Sequence, residues 1–411
     1  MHIVVVNRWP RFADGVRWDN ELTRYEDFID HVGNQVSYIV DAGGAAGVLV
    51  DESLIAHLEQ VDEVNDVDLL RAALVRVAEK VGPVDRLIAL SEFTLGIAAQ
   101  IRAELGIPGP TTAEVARYRD KVRMKQVLAA AGIPVPRFES CVSPEQVRAA
   151  AHRWGFPVVL KPVDGAASIG VHKVDDPAAL ERVLSSIELS GYEIEEFVAG
   201  AIYHVDGYAD DESRIGFQVV SRYVNDCLSF ANGAALGSVV VQQSGLRTRI
   251  EEFTQWCVDA LALCTTPFHL ELFVTDAGEL VFLEVGGRVG GAEVPHLLNK
   301  LFGINLYEVW LRALAGQAVP ALTKVGDPSG GWLVLPKPDH AVRVVEAASM
   351  RERVPIIWRE LLPAPGDVLD PGGSYDAVHC GRFIVLHENE HAAEAGIRQI
   401  IDNFCFEAVP L

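Results

Sequence analysis

Apolar positions in this chain switch between strand-like runs and helical spacing, and the order of the switches predicts its layers. The first ~110 residues read HIVVVN, VSYIVD, the helical LLRAALVRVAEKV, the strand DRLIALS and the helix-like LGIAAQIRAELG. That alternation predicts a small α/β sheet layer. A helix inside GIPGPTTAEVARYRDKVRMKQVLAAAGIPVPRF is bounded by Gly-Pro turns on both sides, which marks a domain boundary near residues 110–120. Beyond it lie the strands FPVVLK and VHKV, a helix around Pro177–Leu189, the strand YEIEEFV and further strands through Val241. A helix over Ile250–Leu263 then precedes the hairpin FHLELFVTDAGELVFLEVGGR. From about Gly330 short strands (GGWLVLP, HAVRVVE, GRFIVLH) lead to a last helix, Ala392–Asn403. The expected fold class is mixed α/β and α+β. Its expected divisions are an N-terminal α/β domain (1–112), a second segment (113–191), a third that holds the hairpin (192–328) and a C-terminal α+β lobe (329–411).

Composition narrows the function. A chain of 411 residues can bury a large core, and its formal charge of −22, with no Lys/Arg-rich run, excludes generic nucleic-acid binding. A small polyanion would then need a locally positive site. Six Cys without a CxxC pair fit reduced thiols in the cytoplasm. MHIVVVNRWP has neither the basic region nor the long apolar stretch of a signal peptide, and no segment reaches membrane-spanning length. The first strand ends in Asn7-Arg8-Trp9-Pro10 without a glycine fingerprint, which argues against dinucleotide binding there.

The hairpin carries the sharpest chemistry. Glu271 and Glu284 lie in alternating apolar runs on either side of Asp276-Ala277-Gly278. With a two- or four-residue loop, Glu271 would pair with Phe282 and Glu284 would follow on the same face, roughly 7–8 Å away or less. A three-residue turn would reverse that parity. No lysine lies in the hairpin, so two carboxylates sharing a partly buried face imply a divalent cation or a metal–phosphate complex between them. Upstream, Lys161 ends the strand PVVLK, and Gly165, Ala166, Ala167, Ser168, Ile169 and Gly170 form a small-residue loop ahead of a second strand. Backbone N–H groups of such a loop can face phosphate oxygens. The loop reads either as a hairpin lid over a phosphate chain or as an ordinary turn, and not as a Walker loop, which requires GxxxxGK[ST] before a helix. The strand with Glu195, Glu196, Phe197 and Val198 could line a purine slot, or it could be an edge strand with solvated acids.

In order and spacing, Lys121, Lys161, the Glu-rich strand 193–198, Glu271, Glu284 and Arg288 resemble the ATP-grasp superfamily. The likeness is to its biotin-carboxylase-like carboxylate–amine ligases and spans about residues 85–320. It implies an N-terminal preceding domain, a lysine-bearing central domain with a strand–loop–strand lid, an ATP-grasp domain and a C-terminal lobe of the L-amino-acid-ligase kind. It implies that Lys121 and Lys161 contact ATP phosphates, that Gly165 to Gly170 cover them, and that Glu195, Glu196, Phe197 and Val198 frame the adenine. Glu271 and Glu284 would ligate magnesium, or manganese in its place. Arg288 would hold the γ-phosphate and later an oxyanion, and His269, opposite Glu284 in the expected register, would touch the carboxyl substrate. The implied partners are a small carboxylate or amino-acid acyl donor and an amine acceptor, joined through an acyl phosphate, with the enzyme a homodimer. Two departures stand out: Gly286 replaces the asparagine of the family's E-x-N-x-R pattern, and Ile202 stands where a ribose-binding acid is common.

Rival readings are a bicarbonate-activating carboxylase-type enzyme and a non-catalytic nucleotide-binding regulator. His387-Glu388-Asn389-Glu390-His391 matches HExxH, but Asn389 is a natural N-cap, which would leave His387 before the helix and off the face of His391. His204, His296 and His379 read as packed or surface histidines, and Trp332 and Arg382 in the last lobe could reach a substrate, although core and surface roles are more common.

Overall fold

A computed structural model describes all residues except 12–19, 166, 167, 226, 232, 325 and 372–378. The first sheet is parallel, in the order β3-β2-β1-β4, from β1 (His2–Asn7), β2 (Gln35–Val40), β3 (Ile55–Gln60) and β4 (Arg86–Ala89). Its central strand β1 is buried throughout. Val4 and Val6 pack with Leu70, Leu74 and Val77 of the helix Val67–Val81, while Ile3 and Val5 face the main core. Helices cover a parallel sheet on its faces, which is why this strand is an unbroken apolar run. The edge strand β3, IAHLEQ, lacks the apolar run of its neighbours, and alternate residues along it are exposed.

The second sheet is antiparallel, ordered β5-β8-β6-β7, from β5 (Phe138–Ser140), β6 (Val158–Pro162), β7 (His172–Val174) and β8 (Tyr192–Glu196). The lid loop joins β6 to β7. The expected boundary at 191/192 separates β8 from β5 and β6, the two strands it bonds to.

The remaining strands are β9 (Ala201–Ala209), β10 (Ile215–Asn225), β11 (Leu236–Val240), β12 (Thr266–Val274), β13 (Leu280–Gly286), β14 (Ser329–Pro336), β15 (Val342–Ala347), β16 (Ile357–Leu361), β17 (Val368–Leu369), β18 (His379–His387) and β19 (Phe406–Pro410). Eight form one sheet, β13-β12-β9-β10-β11-β14-β18-β16, and β17-β15-β19 form a small separate one. The expected boundary at 328/329 therefore divides the chain but not the large sheet, because β14 pairs directly with β11.

Alternation along the large sheet separates its two faces. Phe268, Leu270 and Leu272 of β12 are fully buried on one side, and His269, Glu271 and Phe273 project from the other. Strand pairing carries the projecting face across the sheet: Glu271 lies opposite His204, Ser221 opposite His204, Tyr223 opposite Ser238, and Ser238 opposite Trp332.

The hairpin reaches this arrangement by a different route from the expected one. Thr275 N–H donates to the Glu279 carbonyl at 3.0 Å, and Gly278 N–H to the Thr275 carbonyl at 2.8 Å. The turn is thus the three residues Asp276–Gly278, with Gly278 in the left-handed region at φ +77°. Leu272 accordingly pairs with Phe282, a parity that would send Glu284 to the core face. A register shift at Leu283 reverses it, so Glu271 pairs with Glu284 and His269 with Gly286. The expected pairs Glu271–Phe282 and His269–Glu284 do not form, yet the two carboxylates meet more directly than expected.

Candidate active site

A cavity of about 250 Å³ lies between the lid, the end of β8 and the projecting face of the large sheet. Lys121, Lys161, Gly165, Ser168, Glu195, Glu196, Phe197, Val198, His269, Glu271, Glu284 and Arg288 all line it. Ala166 and Ala167 lie outside the described residues. Gly170 packs against Pro162 and Tyr192 at φ +72°, where a β-carbon would come within 2.8 Å of the Tyr192 hydroxyl.

The lysines arrive from two elements. Asp120 caps the helix Lys121–Ala130 by accepting from Arg123 N–H, which fixes Lys121 at the first helical position. Its Nζ donates to the Gly165 carbonyl at 2.6 Å and lies 3.2 Å from Glu284. Lys161, at the end of β6, is buried and 2.7 Å from Glu195. Burial would lower the Lys161 pKa, but Glu195 and Glu193 outweigh it and raise it.

Behind this pair sits Lys125, fully buried, 2.7 Å from Glu193 and 2.6 Å from Glu195. The sequence reading missed this residue. Spacing shows only that Lys125 follows Lys121 by one helical turn and that Glu193 and Glu195 share one face of β8, not that the lysine and the acids meet. Two lysines and two carboxylates thus close a buried quartet at the base of the lid. Burial raises the Glu193 carboxyl, while at Glu195 the two lysines overcome burial and lower it. Glu196 instead turns to the rim and meets Arg137 at 2.6 Å, and Lys173 lies 4.8 Å over the ring of the exposed Phe197.

Glu271 accepts from the Tyr223 hydroxyl at 2.7 Å and lies 3.4 Å from His269 Nε2. Burial would raise its pKa, but the His269 and Tyr223 hydrogen bonds prevail and lower it. The repulsion inferred between the hairpin carboxylates is therefore relieved in part by protein groups, His269 for Glu271 and Lys121 for Glu284. His269 is in turn held by Asp206, Nδ1 to Oδ1 2.8 Å, and Asp206 also binds His204 at 2.7 Å. Burial opposes charge on His269, yet Asp206 and Glu271 lift its pKa to about 10.

Arg288 faces the cavity with its Nε 2.6 Å from Glu92, which leads the helix Glu92–Leu105 of the first sheet layer. Arg119 also binds Glu92 and donates to the Asp164 carbonyl at 2.9 Å. Glu92 is a second residue the sequence reading did not pick out; nothing in the local SEFTLG pattern distinguishes it from a helix-start acid.

Two discounted signals resolve simply. Asn389 caps the helix Glu390–Asn403 by accepting from His391 and Ala392 N–H groups, and His387 ends β18, so the HExxH residues do not share a helical face. Among the described residues, the cluster whose ligand atoms could surround a metal is instead His204, Asp206 and His269, and Asp206 already binds both Nδ1 atoms. Trp332 lines the cavity and is almost fully buried, and Arg382 is buried against Glu293.

A lysine-and-glycine lid on one small sheet, set over opposed glutamates on a large antiparallel sheet, has the architecture of the ATP-grasp fold. Residues 154–296 match the ATP-grasp domain family. An L-arginine-specific L-amino acid ligase of Bacillus subtilis is 26% identical over 351 residues, covering 81% of this chain and 83% of the relative. The crystal structure of an L-amino acid ligase from Bacillus licheniformis matches with TM-score 0.75 over 99% of this chain and 98% of that one, at 18% identity. The biotin carboxylase domain of a Hydrogenobacter thermophilus 2-oxoglutarate carboxylase, solved with MgADP and bicarbonate, matches at 0.70 over 99% and 91%, with 15% identity.

Proposed function

We propose that this chain is an ATP-dependent carboxylate–amine ligase that joins an amino acid or other small carboxylate to an amine, releasing ADP and phosphate. The observation that carries this reading is the direct pairing of Glu271 with Glu284 beside Lys121, Lys161 and Arg288 in one cavity. The donor set fits a hard divalent cation: two opposed carboxylates, no thiol, and an imidazole already bound to Asp206. We infer magnesium, with manganese as a substitute, held by Glu271 and Glu284; when bound it would neutralise phosphate charge and orient the γ-phosphate.

The chain's own residues account for the rest. Lys161 and Lys121 offset the negative charge that builds when a carboxylate oxygen attacks the γ-phosphorus and ADP departs. The resulting acyl phosphate is attacked by the amine, and Arg288 stabilises the tetrahedral oxyanion before phosphate leaves. Glu195, Phe197 and Val198 frame the base, with Ile169 and Val171 of the lid above it. Closure of the lid keeps water from the acyl phosphate.

Reduced cysteines support a cytoplasmic setting: Cys141, Cys257, Cys264, Cys380 and Cys405 are free. Among the described residues no helix is long and apolar enough to cross a membrane. A homodimer is what the family resemblance implies, and light scattering tests it.

ADP release measured with magnesium across single and paired amino acids, with hydroxylamine present, tests the central reading. Carboxylate-dependent release with a hydroxamate product is expected. Glu284→Gln is expected to abolish that release while the fold persists, and wild-type turnover in this variant would remove the metal assignment. ATP binding without carboxylate-dependent turnover would favour a nucleotide-binding regulator.

A further inference from the structure

The cavity continues past the chemistry into a wall that the nucleotide does not need. Along β12 the projecting residues are Phe273, Glu271 and His269, spaced roughly 7 Å apart at about 3.4 Å per residue. Phe273 pairs across to Ile202 and lies with Val198 and Ile169 at the base-binding end. On the other side of Glu271, Tyr223 reaches over from β10, its hydroxyl bonded to the carboxylate. Trp332 stands edge-on to Tyr223, ring centres 6.5 Å apart, and Leu236 lies beside it one strand over on β11. Val294 closes the top from the helix Val294–Phe302, and Leu228 adds a further apolar side.

A carboxylate poised between Glu271, Glu284 and Arg288 must send its substituent in one of two directions. The base-binding end is taken by ATP. The remaining direction leads to Tyr223, Leu236, Val294 and Trp332.

This end carries no formal charge of its own. The carboxylates on adjoining elements are already matched: Glu271 by Tyr223 and His269, Asp206 by two imidazoles, and Glu293 by Arg382. A cationic side chain entering here would be stripped of water with no acid left to meet it, whereas an apolar one would bury its surface against two aromatic rings. We propose that Tyr223, Leu236, Val294 and Trp332 form the side-chain pocket of the acyl donor and select an amino acid with an uncharged, apolar side chain. This assignment rests on the ligase reading and extends it to the substrate class.

The test uses the full chain with magnesium, ATP and hydroxylamine, and compares kcat/KM for hydroxamate formation from leucine, methionine and phenylalanine with that from arginine, lysine and glutamate. The apolar donors are expected to exceed the charged ones by about tenfold or more. Trp332→Ala is expected to raise KM for leucine about tenfold while leaving KM for ATP within about twofold. Because Trp332 is a core residue, Trp332→Phe is measured alongside it, with a smaller shift in the same direction expected. Leu236→Asp is expected to move the arginine-to-leucine ratio toward arginine. A wild-type preference for charged donors, or variants that move only KM for ATP, would overturn the pocket while the ligase reading stands. No carboxylate-dependent turnover with any donor would overturn both.

Discussion

A guanidinium proposed to stabilise an oxyanion must be aimed before the charge appears, and the residue that grips Arg288 comes from a different sheet layer. Glu92 grips Arg288 Nε at 2.6 Å and binds Arg119 through its other oxygen. Burial would raise its carboxyl, but Arg288 and Arg119 prevail and hold it down to about 2. A depressed carboxyl contributes stability above its unfolded value, and loses it as pH falls through the folded one. From the ordinary glutamate value of 4.5 down to about 2, that contribution is roughly 3 kcal/mol. Glu92→Gln is therefore expected to lower stability at pH 7 and flatten its fall between about pH 5 and 2, as read by urea unfolding across pH. It is also expected to cut kcat by about tenfold or more with KM for ATP little changed; an unchanged kcat would reduce Glu92 to a domain tie. Gly286 offers the opposite experiment. A β-carbon there would meet Arg288 atoms no closer than 3.5 Å, an ordinary contact. Gly286→Asn, restoring the family's oxygen donor, is expected to fold normally and lower the magnesium concentration for half-maximal turnover several-fold. A raised requirement would show that the glycine makes room for something else.

At the scale of elements, the quartet joining β6, β8 and the helix Lys121–Ala130 would set how much of Lys161's charge is left for the proposed phosphate contact. With Lys125 present, two lysines face two carboxylates; without it, Lys161 alone would answer both. Lys125→Met is expected to destabilise the chain by about 3–5 kcal/mol, the usual result of leaving a buried charge unmatched. It is also expected to weaken ATP binding, which isothermal titration would read as a lower association constant. Unchanged ATP affinity in a folded variant would mean that the quartet is only a strut. Much of this was legible in the sequence. Strand–helix alternation exposed the first layer, PVVLK and the small-residue run exposed the lid, and the acids of the hairpin marked its face. What was not legible was pairing between distant segments. Nothing local shows that Glu193 and Glu195 will find Lys125, that Glu92 will cross to Arg288, or that β14 will join β11. The hairpin makes the same point within one element. Its three-residue turn has the wrong parity, and a bulge at Leu283 corrects it. Leu283 reads as one more apolar residue in LVFLEV, because a bulge is a property of the pair of strands and not of either sequence.

For the whole molecule the electrostatic problem is one of scale. The formal charge is −22, while the ligand that must enter is itself an anion and the cavity's lysines are already paired with Glu195 and Glu284. Two fields of opposite sign would act on an approaching ATP with its proposed magnesium. The diffuse repulsion of the acidic surface operates over a screening length of about 30 Å at 10 mM salt, which shortens to about 8 Å at 150 mM. The attraction of Lys121, Lys161 and Arg288 operates only within the cavity, over contacts of a few ångströms that salt screens far less. Raising salt between these limits should therefore remove the repulsion while leaving most of the attraction. The association rate of MgATP, measured by stopped flow, is expected to rise a few-fold from 10 to 150 mM salt, the reverse of the fall seen when a positive cleft steers an anion in. A rate that falls with salt would mean that the cavity's lysines project their field beyond the lid, and that Glu195 and Glu284 neutralise them less in solution than the 2.7 and 3.2 Å contacts imply.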